Sequence, residues 1–189
     1  MIKAIIFDCF GVLLTDSLED IVHELKVINP DKAKEIIRLV GLASKGLSDA
    51  QASRVVVADI LGLTIDEYID KIRTGEIKNL PLLKYIEVLK TDYKIGLLSN
   101  IISGGLEVRF TGDELSIFDA IVVSGDIGYA KPEAQAYEIT AERLGVRLEE
   151  CVMIDDREDY CLGAIGVGMK AFQYQSFDQL KSELGKYLV

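Results

Sequence analysis

At 189 residues, the chain can bury one core of ordinary domain size together with a small inserted module. Apolar residues make up 49% and charged residues 28%, the balance of a folded globular protein rather than a disordered one. A net charge of −10 argues against nucleic acid or an anionic membrane surface as a partner, yet leaves room for a small phosphorylated compound at a locally basic site. No apolar run approaches the roughly 20 residues of a membrane helix, and the N-terminus lacks a signal-peptide pattern. The three cysteines, Cys9, Cys151 and Cys161, are odd in number and lack zinc spacing, so they read as reduced thiols of a cytoplasmic protein. Monomer and homodimer both stay open.

The first element is Lys3-Ala4-Ile5-Ile6-Phe7, an apolar run ending in Asp8 and followed by Gly11. A run of this kind reads as a strand buried on both faces, with Asp8 at its carboxyl end. The pattern then becomes helical. Leu18, Ile21, Leu25 and Ile28 share a face up to Pro30, and Ala33, Ile36, Ile37 and Val40 mark a second helix stopped near Gly41. Ser48 and Gln51 form a candidate capping box before a third helix, and Thr64 and Glu67 form another before a fourth. No strand pattern interrupts this block, so residues 15–79 read as an all-helical insert.

From Leu80 helices and strands alternate. A helix carries Tyr85, Val88 and Leu89; Ile95-Gly96-Leu97-Leu98 is a strand ending at Ser99-Asn100; Ala120-Ile121-Val122-Val123 is the next. Lys131-Pro132 is expected to open a helix that stops at Gly145. Cys151-Val152-Met153-Ile154 ends at Asp155-Asp156, Lys170-Ala171-Phe172 follows, and a last helix runs through Leu180, Leu184 and Leu188. The alternation predicts a parallel α/β sheet. Residues 1–14 and 80–189 then form the core domain, and the insert sits over the carboxyl edge of the sheet as a lid.

Polar residues follow four strand ends: Asp8; Ser99 and Asn100; Lys131; Asp155 and Asp156. If the first and fourth strands are neighbours, three carboxylates converge. Two like charges 4 Å apart repel by about 4 kcal/mol at an effective dielectric near 20, so either protons or a cation must join them. Hard oxygen ligands suit Mg²⁺, which shares a substrate phosphate. A carboxylate nucleophile beside a divalent cation, a lysine and neutral donors suits phosphoryl transfer, where positioning and charge stabilisation do most of the catalysis.

In order, Phe7-Asp8-Cys9-Phe10-Gly11-Val12-Leu13, Leu97-Leu98-Ser99-Asn100, Gly128-Tyr129-Ala130-Lys131-Pro132-Glu133 and Ile154-Asp155-Asp156-Arg157 resemble the four motifs of the haloacid dehalogenase superfamily of hydrolases. The insert resembles the helical cap of one of its subfamilies, with Lys45-Gly46-Leu47-Ser48 similar to the cap loop that faces the substrate. The resemblance covers essentially the whole chain. It implies a Rossmann-like sheet of about five strands in the order 3-2-1-4-5. It also implies Asp8 as nucleophile and metal ligand, and the backbone carbonyl of Phe10 and the side chains of Asp155 and Asp156 as further Mg²⁺ ligands. Ser99, Asn100 and Lys45 would bind substrate, and Lys131 would neutralise the phosphoryl group and Asp8.

One position departs from the pattern. Phosphatases of this superfamily usually carry a second Asp two residues after the nucleophile as general acid–base; here Phe10 stands there and cannot transfer a proton. Dehalogenases also lack that Asp, but their fourth motif is rich in Ser and Asn, whereas Asp155-Asp156 keeps two acids. Three readings stay open: a Mg²⁺-dependent phosphatase of a small phosphorylated metabolite, weakened by Phe10; a metal-independent 2-haloacid dehalogenase-like hydrolase; and a non-catalytic binding or regulatory member of the fold. A general acid–base group is worth about 10²–10⁴ in rate, so its loss weakens a phosphatase without abolishing it. A good leaving group such as an acyl or aryl phosphate feels the loss least.

Overall fold

A computed structural model describes residues 1–188. Along the chain, β1 (Ala4–Phe7) is followed by α1 (Ser17–Ile28), α2 (Pro30–Ser44), α3 (Ala50–Leu61) and α4 (Ile65–Gly75). Then come α5 (Leu80–Leu89), β2 (Lys94–Ser99), the short α6 (Gly112–Leu115), β3 (Ala120–Val123) and the short α7 (Ser124–Ile127). The chain closes with α8 (Ala134–Leu144), β4 (Cys151–Asp155), α9 (Glu158–Gly166), β5 (Lys170–Gln173) and α10 (Phe177–Leu184).

The strands form one five-stranded sheet in the order β3-β2-β1-β4-β5, all pairs parallel. β1 is central, and all four of its residues are buried, as expected for a strand covered on both faces. Alternate residues serve two cores. Ile5 and Phe7 pack with Leu82, Leu83 and Ile86 of α5 and with Leu180 and Leu184 of α10. Ala4 and Ile6 pack with Tyr137, Ala141 and Leu144 of α8 and with Ala164 of α9. The register places Phe7 opposite Leu97 and Ile154, so Asp8 emerges between the ends of β2 and β4.

The four helices α1–α4 close on a separate small core of Val22, Ala33, Ile36, Val57, Ala58 and Tyr68. The chain enters and leaves this layer through two segments lying side by side. Thr15 N–H donates to the Ile77 carbonyl at 3.0 Å, and Ile77 N–H donates to Thr15 Oγ1 at 2.8 Å. Asn79 N–H donates to the Leu13 carbonyl at 2.8 Å.

Several local expectations shift. α2 runs through Gly41 to Ser44, because Gly41 lies on an open face while Ile36 and Ala43 anchor the helix. Burial outweighs the roughly 1 kcal/mol that glycine costs a helix. Asp49, not Ser48, caps α3 by accepting from Ala52 N–H, and the Ser48 hydroxyl meets that of Ser53 at 3.1 Å. The Thr64–Glu67 capping box forms as read. Lys131 and Pro132 precede α8, which starts at Ala134; the Lys131–Pro132 peptide is cis. The last helix stops at Leu184, short of Leu188.

Candidate active site

The carboxyl edge of the sheet gathers the residues singled out from the sequence. Asp8 leaves the end of β1. Its Oδ1 accepts from Cys9 N–H at 2.6 Å and from Lys131 Nζ at 2.7 Å, while Oδ2 has no protein partner among the described residues. Lys131 Nζ also donates to Asp155 Oδ2 at 2.6 Å, and Asp155 Oδ1 accepts from Arg157 N–H at 3.0 Å. Both oxygens of Asp155 are therefore spent on the protein. Asp8, Asp155 and Asp156 each offer a carboxylate oxygen, all within 4.8 Å of one another.

The electrostatics follow from burial. Burial raises the Asp8 carboxyl well above its ordinary value; Asp155 pushes it further up, and Lys131 opposes both. Asp156 is pushed up to about 6, first by burial and then by Asp155. Burial pulls the Lys131 ammonium down, but Asp8 and Asp155 more than offset it, so the lysine is held charged. One buried cation thus faces three carboxylates, and the site carries an excess of negative charge that a divalent cation would neutralise.

Gly11 makes the close approach of Asp156 possible. It sits at φ +78°, and a Cβ there would fall 2.2 Å from Asp156 Oδ2. A side chain at position 11 would displace the fourth motif from the first.

Ser99 ends β2, fully buried, and its hydroxyl is the one buried side-chain oxygen or nitrogen without a hydrogen-bond partner among the described residues. Leaving such a group unpaired costs about 1–3 kcal/mol. Asn100 is differently employed. Its Oδ1 accepts from Lys131 N–H at 2.8 Å and its Nδ2 donates to the Lys131 carbonyl at 2.9 Å, clamping the lysine backbone from both sides.

Lys45 reaches from the loop after α2 to Glu133, 2.9 Å away, and so joins the helical layer to the sheet domain. Ser124, at the start of α7, makes a second such tie by donating to the Ser44 carbonyl. Between the layers lies a cavity of about 1220 Å³, lined on the sheet side by Asp8, Phe10, Lys131 and Asp156 and on the helical side by Lys45 and Tyr68.

Three further groups pack at this site. Tyr160 lies under Lys131, whose Nζ is 5.0 Å from the ring centroid, and takes Arg157 at 4.3 Å; its hydroxyl accepts from Asn100 Nδ2 at 3.2 Å. Arg109 lies over the Phe10 ring, 5.2 Å from the centroid, and holds Glu76 at 2.6 Å. Tyr160 stands three residues beyond Arg157, close enough to the fourth motif to be singled out in the sequence, although its place under Lys131 is set by the fold. Arg109 and Glu76 belong to segments without a motif, and only the fold joins them.

A parallel sheet whose central strand delivers a carboxylate to a lysine and two further acids places a charged site at the carboxyl edge of an α/β fold, where open parallel sheets bind their ligands. The model of the haloacid dehalogenase-like hydrolases matches residues 2–168, and the chain belongs to this family. It is 32% identical over 88 residues to phosphatase MT3486 of Mycobacterium tuberculosis (strain CDC 1551 / Oshkosh), a match covering 46% of this chain and 41% of that protein. It is 27% identical over 97 residues to the glyceraldehyde 3-phosphate phosphatase of Methanothermobacter thermautotrophicus, covering 48% of this chain and 41% of that protein. The chain thus spans less than half the length of these curated relatives. Among solved structures, a HAD family enzyme of Bacteroides thetaiotaomicron in complex with magnesium and inorganic phosphate shares the fold at TM-score 0.73 and 20% identity, over 95% of this chain and 99% of that one. No helix of the described residues is long and apolar enough to cross a membrane.

Proposed function

We propose that this protein is a Mg²⁺-dependent phosphatase of a small phosphorylated metabolite, working through a phosphoryl group carried on Asp8. The observation that carries the reading is the convergence of Asp8, Asp155 and Asp156 within 4.8 Å around one buried lysine. An all-oxygen set of this kind fits a hard divalent cation. Asp156, the free Oδ2 side of Asp8 and the carbonyl of Phe10 would hold it, and Asp155, with both oxygens spent, would act by fixing Lys131. When bound, the cation neutralises charge on the phosphoryl oxygens.

The protein's own groups supply the rest. Cys9 N–H and Lys131 hold Asp8 Oδ1, which aims Oδ2 at the incoming phosphorus. The Ser99 hydroxyl and the Lys131 ammonium stabilise the phosphoryl oxygens as the bond to Asp8 forms. Asn100 fixes the Lys131 backbone, and Tyr160 shields its ammonium from water. Residues 15–79 would serve as the cap over a core of residues 1–14 and 80–189, with Lys45 closing it against Glu133 beside the substrate.

A screen of phosphate esters with and without Mg²⁺ tests the proposal. Metal-dependent phosphate release, lost in Asp8→Asn, is expected; no release from any ester with any divalent metal overturns it. Phe10 favours a second reading, metal-independent hydrolysis of a carbon–halogen bond, and the retained pair Asp155 and Asp156 opposes it. Halide release from a 2-haloacid that survives EDTA would decide for that reading.

A further inference from the structure

The wall beside Phe10 carries an arrangement that bears on which phosphates the site can open. Phe10 stands two residues after Asp8 and lines the cavity, and its ring cannot move a proton. Of the other acids lining the cavity near the sheet edge, Glu158 is exposed and has no hydrogen bond or ion pair among the described residues, and the rest are engaged. Asp16 caps α1, Glu133 takes Lys45, Asp159 takes Arg157, and Asp156 belongs to the carboxylate cluster. Over the Phe10 ring lies the Arg109 guanidinium, side chain 16% exposed, tied to a Glu76 carboxylate that is 7% exposed. Arg109 Nε and Nη2 both donate to Glu76 Oε1, at 3.0 and 2.6 Å, and Nη1 donates to the Gly105 carbonyl at 2.8 Å. A guanidinium has five N–H groups. Two of them, one on each terminal nitrogen, have no protein partner among the described residues, and Arg109 lines the same cavity as Asp8 and Lys131.

We propose that the site acts on acyl phosphates, with the two unspent N–H groups of Arg109 receiving the departing carboxylate where other phosphatases would protonate an alcohol. This rests on the phosphatase reading above and narrows its substrate class. The chemistry balances without a proton donor. An Asp8 oxygen bonds to phosphorus as the bond from phosphorus to the acyl oxygen breaks, and the electron pair leaves on the carboxylate. Water then adds to phosphorus and releases dihydrogen phosphate, restoring the Asp8 carboxylate. A carboxylate leaves with two oxygens sharing its charge, and a planar guanidinium with two free donors matches that shape. Glu76 fixes the plane of the guanidinium and balances its charge. The free groups therefore work as oriented donors rather than as a bare cation that would trap any anion.

The test compares a generic acyl phosphate, an aryl phosphate and an alkyl phosphate on the wild type and on Arg109→Gln, Arg109→Lys and Phe10→Asp. In the wild type, kcat/KM for the alkyl ester is expected at least about 10²-fold below that for the acyl phosphate, the rate worth of a missing general acid. Phe10→Asp narrows that gap by raising the alkyl rate. Arg109→Gln and Arg109→Lys each lower the acyl phosphate rate by about 10²-fold, the worth of a well-placed donor, and the aryl rate by much less. Equal rates on acyl and alkyl phosphates in the wild type overturn the proposal, as does an equal loss on all substrates in the Arg109 variants, which would mark a merely structural role. If the alkyl rate instead depends on Glu76, shown by its selective loss in Glu76→Gln, then Glu76 is the proton donor and the proposal fails. The wild-type comparison decides even where a variant does not fold. No phosphate release from any of the three esters sinks the phosphatase reading itself, an outcome distinct from a phosphatase without acyl preference.

Discussion

Lys131 Nζ lies 2.7 Å from Asp8 Oδ1, and the lysine side chain is wholly shut off from solvent. The ammonium also donates to Asp155, so one buried cation serves two strand ends, those of β1 and β4. Removing it leaves two buried carboxylates without a countercharge, each keeping only a backbone N–H. Lys131→Met is expected to cost about 3–5 kcal/mol in chemical denaturation at neutral pH, the usual penalty for breaking a buried pair from one side. Activity would go with it. A melting curve unchanged from the wild type would mean that the carboxylates take up protons instead.

Asp8→Asn should act on chemistry and stability in opposite directions. It removes the oxygen that forms the bond to phosphorus, so turnover is lost. It also removes one of three like charges within 4.8 Å, so the metal-free protein should melt no lower than the wild type. Parallel measurement of phosphate release and thermal unfolding checks both halves.

Ser99→Ala separates binding from folding. The hydroxyl is buried and unpaired, so its removal should leave stability within about 1 kcal/mol of the wild type, or raise it. In kcat/KM for a phosphate ester a loss of about 10²-fold is expected, the worth of one donor at a transferring group. A large loss of stability with unchanged kinetics would assign the hydroxyl to structure alone.

Metal binding should carry the titration of Asp156. Its folded value of about 6 lies above the ordinary one because burial and Asp155 disfavour its charge. A raised acid holds its proton longer in the folded state, so this group's contribution favours folding at low pH and is lost as pH rises through about 6. A cation must displace that proton. Apparent Mg²⁺ affinity, followed by calorimetry in the absence of substrate, should therefore weaken by about tenfold per pH unit below that point and level off above it. A flat profile between pH 5 and about 7 would show that Asp156 does not hold the metal.

Lys45 and Glu133 tie the helical layer to the sheet domain at 2.9 Å with partly exposed side chains. Such a pair is worth about 0–1 kcal/mol, so Lys45→Met should barely move the melting temperature. If the tie closes the cavity over substrate, KM should rise several-fold and the salt dependence of KM should flatten. Steady-state kinetics at two ionic strengths reads both.

Much of this protein is determined locally. A short apolar run bounded by an acid and a turn glycine reads as a buried strand, so β1, the place of Asp8 at its end and the alternation of the later strands and helices follow from hydrophobic pattern and turn signals. The four acids and bases at strand ends follow too, since parallel strands deliver their carboxyl ends to one edge. The choice of partners depends on residues far apart in the chain. Asp8 and Asp155 share one lysine, and each Asp155 oxygen already accepts one hydrogen bond from the protein. Asn100 holds a backbone rather than standing free, Gly11 is small to admit Asp156, and Arg109 brings Glu76 to the ring of Phe10. Each of these is a choice among partners of similar chemistry. Local sequence states what a side chain can bond to; only the packed sheet and helices determine which partner is within 3 Å.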